Sequence, residues 1–178
     1  MKKLFLIILF TLLPFTIFAG PFGLKMGMTL EEVTEVCGGE KPKSEGDDCY
    51  RITPVKNHPL FYEYIVFIDK TQGLYSIIAL SKSDSSREII NNTFVEVRGS
   101  LSKIYGASEK VDINVSLKDI KYEHVGTYYY CEKWDNELKD DLICISLYAT
   151  RYGGSYGLVL QYDFTNKSDV EDSQDEVL

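Results

Sequence analysis

Six β-rich runs of residues fall into two groups of three, and a segment with a helical pattern precedes each group. Runs such as residues 157–164 alternate side chains with a period of two, the pattern of strands that bury one face. Helices are therefore expected on one side of the sheet only. The sequence predicts an α+β fold, an antiparallel sheet of about six strands with two helices on one face, in which a helix-plus-three-strands order occurs twice. The predicted strands are residues 49–53, 61–68, 74–81, 128–134, 142–151 and 157–164.

The first helical segment begins with helix-capping chemistry. Thr29 and Glu32 have the spacing of a capping box, in which each side chain binds a free backbone N–H at the helix start. Gly38 can end the helix in a left-handed conformation. We therefore predict a helix between Met28 and Gly38.

The second helical segment carries a longer apolar stripe. Ser85 and Glu88 again have capping-box spacing, and Tyr105-Gly106 predicts the helix end. Between them, apolar residues recur at intervals of four, three, four and three, which places them along one face of a helix. These residues are Ile90, Phe94, Val97, Leu101 and Ile104.

The first nineteen residues have the layout of a secretory signal peptide. Lys2 and Lys3 are positively charged, residues 4–18 are almost all apolar, and Ala19 is the small residue of a cleavage site. The apolar run is shorter than the roughly 20 residues that span a bilayer. We predict a signal peptide over residues 1–19, a periplasmic or secreted protein, and no stable membrane anchor after cleavage.

The rest of the chain is long enough for one domain with its own core and too short for two. We predict a single α+β domain over residues 20–167, with halves of about 20–82 and 83–167. Residues 168–178 hold five acidic residues and no basic one. Such a segment buries too little apolar surface to offset its ordering entropy, so a disordered acidic tail is predicted.

Charge bears on the class of partner. The chain has 27 acidic and 19 basic residues, a formal net charge of −8, and no cluster of lysines and arginines. An acidic surface repels phosphate backbones, so nucleic acid is not expected as a partner.

The first two cysteines flank a polar loop. Cys37 would end the first helix and Cys49 would open the first strand. Cysteines of an exported protein are expected to form disulfides, and four of them allow three connectivities. We predict a Cys37–Cys49 disulfide.

The other two cysteines, Cys131 and Cys144, lie in consecutive strands. If residues 134 and 141 are opposite at the turn, the two cysteines are also opposite and within disulfide reach. We predict a Cys131–Cys144 disulfide. A zinc site or a thiol nucleophile is less favoured, because no CxxC occurs and the two histidines have no recognisable ligand spacing.

The segment FGLKMGMTLEEV, residues 22–33, resembles the opening of many small exported bacterial proteins, in which a Gly-Met-Thr or Gly-Met-Ser turn starts a helix. It is similar to the pattern of BamE-type envelope lipoproteins and of the β-lactamase-inhibitory-protein-like fold. The latter resemblance implies duplicated helix-plus-strands halves, a local disulfide in each half, and a curved sheet whose open face binds other proteins. No lipid-bearing cysteine follows the predicted cleavage site, so membrane anchoring is not implied. No β-lactamase-binding residues can be carried over.

Motifs of catalysis and metal binding are weak. The chain has no G-x-S-x-G, no H-E-x-x-H and no phosphate-binding glycine loop, so no enzyme, no cofactor and no metal site is predicted. Asp112, Asn114, Ser116 and Glu123 match positions 1, 3, 5 and 12 of a calcium loop. Leu117 stands where that loop needs glycine, and a polar connector is the favoured interpretation.

Tyrosines give the predicted binding site. Tyr129, Lys133 and Tyr148 would share the hairpin face that carries Cys131 and Cys144. Tyrosine is enriched at protein interfaces because it buries a large ring and keeps a polar tip. These three residues are the predicted contact with an unidentified protein partner. The alternative is that the tyrosines form cross-strand pairs that only stabilise the sheet.

The predicted function is therefore an exported, non-catalytic binding protein that engages a protein partner through the open face of its sheet. Two alternatives stay open. One is a small envelope hydrolase with unidentified carboxylate chemistry, and the other is an envelope-assembly factor.

Overall fold

One antiparallel sheet of eight strands forms the centre of the molecule. The computed structural model describes residues 20–111, 127–135 and 138–175, with the backbone alone at 127–130, 152 and 172–175. The prediction of about six strands was wrong, because β1 (Lys43–Ser44) and β5 (Glu109–Lys110) lie at the two edges of the sheet. Each has two residues, both exposed, and so carries no hydrophobic alternation from which a strand could be predicted.

The remaining strands are β2 (Cys49–Ile52), β3 (Phe61–Asp69), β4 (Gly73–Ser81), β6 (Thr127–Trp134), β7 (Leu142–Tyr152) and β8 (Ser155–Phe164). The order across the sheet is β1-β2-β3-β4-β8-β7-β6-β5, so each half is a four-stranded meander. The two meanders join through the antiparallel pair β4–β8. The helix-plus-strands order occurs twice, with four strands in each half where three were predicted.

The described residues form three α-helices where two were predicted: α1 (Leu30–Val36), α2 (Arg87–Tyr105) and α3 (Lys167–Asp175). The additional helix, α3, lies in the stretch that the sequence predicted to be disordered, and its Val170 is fully buried. The buried Val170 side chain and the ion pair between Lys167 and Asp163, described below, hold this polar helix against the sheet.

The capping box of α1 is confirmed. The Glu32 N–H donates to Thr29 Oγ1 at 3.3 Å, and the Thr29 N–H donates to Glu32 Oε2 at 2.8 Å. The residues before it pair with β4, because the Gly27 N–H donates to the Leu74 carbonyl and the Leu74 N–H donates to the Met28 carbonyl, both at 2.9 Å. The Gly-Met-Thr turn thus joins the start of α1 to the start of β4.

Helix α2 begins one residue later than its predicted cap, since the Ile89 N–H donates to Ser86 Oγ at 3.4 Å. The first four residues of its predicted apolar stripe are buried, whereas Ile104 is 55% exposed. The stripe therefore packs on the sheet over most of the helix and leaves the sheet at its last turn.

The two faces of the sheet differ. Helices α1 and α2 pack on one side, the helix face, where the core includes Val33, Ile77, Leu101 and Leu160. We call the other side the second face. Its smaller buried cluster consists of Ile65, Ile78, Cys131, Tyr148 and Val159.

A bulge near the start of β7 changes which residue enters the core. The alternation predicts Ile143 on the core side with Ile145 and Leu147. The register shifts between Leu142 and Cys144, so Leu142 is buried and Ile143 is 48% exposed. A bulge inserts one unpaired residue and reverses the alternation beyond it, and the sequence shows no sign of it.

Candidate functional site

An apolar cavity of about 170 Å³ opens on the helix face, between α2, β8 and residues 58–61. This volume is comparable to an apolar cavity of about 150 Å³ that holds one benzene ring. Aliphatic side chains of Leu60, Val97, Leu101 and Leu160 form much of its wall. It is therefore large enough for a small organic molecule.

Aromatic rings form another part of the wall. Phe22, Phe61 and Tyr162 all line the cavity. The Phe22 ring lies 5.9 Å from that of Tyr162 at 87°, 6.5 Å from that of Phe61 at 73°, and 4.8 Å from that of Tyr64 at 70°. Edge-to-face contacts of this kind are favourable beyond the area they bury. Phe22 is thus held by three rings at once.

The backbone at Phe22 is strained. Its φ of 58° and ψ of 18° lie in the left-handed region, which is unfavourable for a bulky residue. The Gly23 N–H donates to the Gly20 carbonyl and the Leu24 N–H donates to the Pro21 carbonyl, both at 3.0 Å, and these bonds fix the turn. Strain of this kind costs about 1–3 kcal/mol and clusters at functional sites. The strained turn supports the cavity wall as a candidate site.

Tyr64 fixes the loop at the mouth of the cavity. The His58 N–H donates to the Tyr64 hydroxyl at 2.7 Å, and that hydroxyl lies 3.2 Å from the His58 carbonyl. The Leu60 N–H donates to His58 Nδ1 at 3.3 Å. Burial raises the pKa of Tyr64, and the backbone bond to His58 lowers it by less. The neutral hydroxyl therefore holds His58 and Leu60 in place.

Tyr162 is a buried polar residue of the cavity wall. It is 6% exposed, and burial raises the pKa of its hydroxyl far above the ordinary value, with Tyr105 and Tyr64 adding to the shift. None of the residues that the structure describes hydrogen-bonds to this hydroxyl. Because Tyr162 lines the cavity, this hydroxyl is available to a ligand there.

Helix α2 provides the rim. Glu96, Ser100 and Ile104 line the cavity and follow one another at intervals of four residues, so they share one face of the helix. Within the described ranges, no ion pair involves Glu96. An exposed carboxylate therefore lies beside an apolar, aromatic cavity.

The predicted binding residues lie elsewhere. Lys133 and Tyr148 are on the second face, and the side chain of Tyr129 lies outside what the structure describes. Tyr148 is 5% exposed and belongs to the buried cluster of that face. The Lys133 ammonium is 3.5 Å from the Asp135 carboxylate. Lys133 and Tyr148 do not reach the cavity, because the sheet separates them from it.

None of the four cysteines forms a disulfide in the structure. Cys37 is buried in the core of the helix face, whereas Cys49 packs against the cluster of the second face. The sheet separates the two, which accounts for the absence of the predicted Cys37–Cys49 bond.

The register of β6 and β7 separates Cys131 from Cys144. Cys131 is opposite Tyr148, and Trp134 is opposite Ile145 where residue 141 was assumed. A shift of four residues puts the two cysteines about 13 Å apart along the strands, beyond disulfide reach. The assumption was wrong because the first residues of β7 do not pair with β6. Cys144 pairs with β8 alone, and the pairing of β7 with β6 starts at Ile145.

A buried polar network on the second face surrounds the Asp163 carboxylate. The Asp163 carboxylate accepts from Ser76 Oγ at 2.6 Å, from Gln161 Nε2 at 3.0 Å and from Lys167 Nζ at 2.9 Å. Burial raises the pKa of the neighbouring Cys144 thiol, so it is not activated as a nucleophile. Because Lys167 is the first residue of α3, the network fixes that helix to the sheet.

Two sequence-based predictions concern residues outside the described ranges, namely the signal peptide at 1–19 and the calcium-loop pattern at 112–123. In the part of the chain that is described, no group of three or more His, Cys, Asp or Glu side chains could hold a metal ion. None of the described helices is long and apolar enough to cross a membrane.

Similarity to known proteins does not assign this site. Comparison with models of protein families, with curated proteins and with solved structures finds no match. The resemblance of residues 22–33 to exported helix-start motifs therefore stays a prediction. What can be inferred about function comes from the cavity itself.

Proposed function

We propose that the protein is a non-catalytic binding protein that holds a small organic ligand in the cavity on its helix face. One observation carries this proposal: a mostly apolar cavity of about 170 Å³ is lined by Tyr162, whose hydroxyl has no hydrogen-bond partner among the described residues. Apolar pockets with a few inward polar groups are the usual form of small-molecule sites. The hydroxyl orients the ligand and the rings bury it.

Binding is favoured over catalysis by the arrangement of the polar residues at the rim. Among the described residues, no hydrogen bond links His58, Glu96 or Ser100 to one another. Nucleophilic catalysis needs a nucleophile within hydrogen-bond reach of a base. His58 Nδ1 instead accepts the Leu60 N–H and serves the local turn.

The location of the site also follows from burial. A partner on the second face would meet Tyr148 only at its edge, because that side chain is almost fully buried. The cavity on the helix face is open to solvent at a rim of exposed residues, including Glu96 and Ser100. With the predicted signal peptide, ligand binding is expected in the periplasm or outside the cell.

A ligand-observed NMR screen tests the proposal. The panel contains neutral, anionic and cationic organic molecules of up to roughly ten non-hydrogen atoms, the size that such a cavity can hold. A blocking variant, Ser100→Trp, places a large ring at the rim on an exposed helix position. Val95→Trp is the matched control, since Val95 is 63% exposed on the same helix and does not line the cavity.

We expect at least one molecule to bind the unmodified protein and Val95→Trp, and to lose binding to Ser100→Trp. A panel without any binder would contradict the proposal. Binding that survives Ser100→Trp unchanged would show that the site lies elsewhere.

A further inference from the structure

We propose that the ligand of this cavity is a small organic cation of the alkylammonium class. The inference rests on the proposed function and names the chemistry of its ligand. It follows from the kind of side chains that meet at the cavity, from their charge and from the size of the space.

The first observation is the aromatic wall. Phe22, Phe61 and Tyr162 line one small cavity, and the Phe22 ring stands at 73° and 87° to the other two. Rings that border a small space can present their negative faces to a ligand, as in an aromatic cage. The negative faces of such rings attract cations, and cages of this kind recognise quaternary ammonium groups.

The second observation is charge. The cavity lining contains the carboxylate of Glu96 and, among the described residues, no lysine or arginine. The whole chain has a formal net charge of −8, which raises the local concentration of cations near its surface. A negative rim attracts a cationic ligand and disfavours a carboxylate or phosphate.

The third observation concerns the interior. The Tyr162 hydroxyl is neutral and has no hydrogen-bond partner among the described residues. A hydroxyl or primary amine at the far end of an alkylammonium ligand can bond to it. The aliphatic side chains of Leu101 and Leu160 would contact the carbon atoms between the two polar ends. A cation with a short alkyl chain therefore matches each part of the cavity.

Isothermal titration calorimetry with two probes separates charge from shape. Choline is the cation, and 3,3-dimethyl-1-butanol is its neutral isostere, in which carbon replaces the charged nitrogen. Each probe is titrated into the unmodified protein, Glu96→Gln and Glu88→Gln. Glu88 is exposed on the same helix and does not line the cavity, so the control changes the net charge equally.

We expect choline to bind at least about fivefold more tightly than its isostere, because a desolvated cation–π contact contributes this much affinity. Glu96→Gln should weaken choline binding about threefold and leave the isostere unchanged, and Glu88→Gln should alter neither. Equal or tighter binding of the isostere would overturn the inference and leave the apolar cavity as a binding site. Binding of neither probe, with a hit in the NMR panel, would overturn the inference alone. Absence of any binder in both experiments would overturn the proposed function as well.

Discussion

At the level of single side chains, the surroundings of each tyrosine decide what it contributes. Tyr162 lines a cavity, Tyr64 holds a loop, and Tyr148 fills a buried cluster. Tyr62 sits at a bulge of β3 and is 58% exposed. The alternation of residues predicted the face on which Tyr148 lies. It did not predict burial there, since burial depends on contacts that are distant in sequence.

Tyr148 and Tyr62 form a matched pair for a stability test. Tyr148→Ser should lower the free energy of unfolding by about 3 kcal/mol, because it removes a buried ring and leaves a cavity. Tyr62→Ser should change it by less than about 0.5 kcal/mol, as expected of an exposed position. Urea denaturation measures both. Equal losses in the two variants would contradict the buried position of Tyr148.

Tyr75 gives a prediction about alkaline pH. Burial raises the pKa of Tyr75 to about 12, and the nearby carboxylates of Asp48 and Asp69 add to the shift. In the unfolded chain a tyrosine ionises near pH 10. The fold therefore favours the neutral form, and the stability this provides is complete below about pH 10 and is lost as the pH rises through about 12.

The measurement is the free energy of unfolding between pH 9 and about pH 12 for the unmodified protein and for Tyr75→Phe. The unmodified protein should lose stability more steeply over this range than Tyr75→Phe, which cannot ionise at this position. Identical slopes for the two proteins would contradict the buried environment of Tyr75.

At the level of helices and strands, the local signals were the most reliable. The capping box at Thr29 predicted the start of α1, because its chemistry is contained within four residues. The apolar stripe predicted α2 and its buried face. The edge strands β1 and β5 were missed, as their pairing depends on neighbours and not on their own pattern. The predicted register of β6 and β7 was wrong for the same reason.

A substitution in the turn between β3 and β4 tests one close approach between two backbone segments. Gly73 has a φ of 69°, and a Cβ at this residue would collide with the carbonyl of Gly27. Gly73→Ala should therefore lower the free energy of unfolding by more than about 2 kcal/mol, through strain and loss of the α1–β4 contact.

Gly99→Ala is the control for this substitution. Gly99 lies inside α2, and an added Cβ there meets no atom within 4 Å. Alanine in a helix interior is favoured over glycine by about 0.5–1 kcal/mol, so Gly99→Ala should stabilise the protein. Thermal unfolding of both variants gives the comparison. A neutral Gly73→Ala would contradict the packing of the Gly-Met-Thr turn on β4.

At the level of the whole molecule, two meanders share one sheet through β4 and β8. The sequence predicted this repeated order of elements but not the cavity. The cavity is formed by an N-terminal turn, a loop, a helix and a strand whose residues are far apart in the chain. Val97, Leu101 and Ile104 were predicted only as part of an apolar helix stripe, and Phe22 only as part of a helix-start motif. One signal was present, namely a tyrosine at position 162 on the core side of β8, where its hydroxyl needs a partner.

Chemical-shift mapping of the ¹⁵N-labelled protein locates the binding site directly. Choline and 3,3-dimethyl-1-butanol are each added to saturation, and the backbone amides that shift are identified. We expect shifts at residues around the cavity, among them Ser100, Leu101 and Tyr162. Shifts confined to the second face, at Cys131 and Val159, would contradict this location of the site.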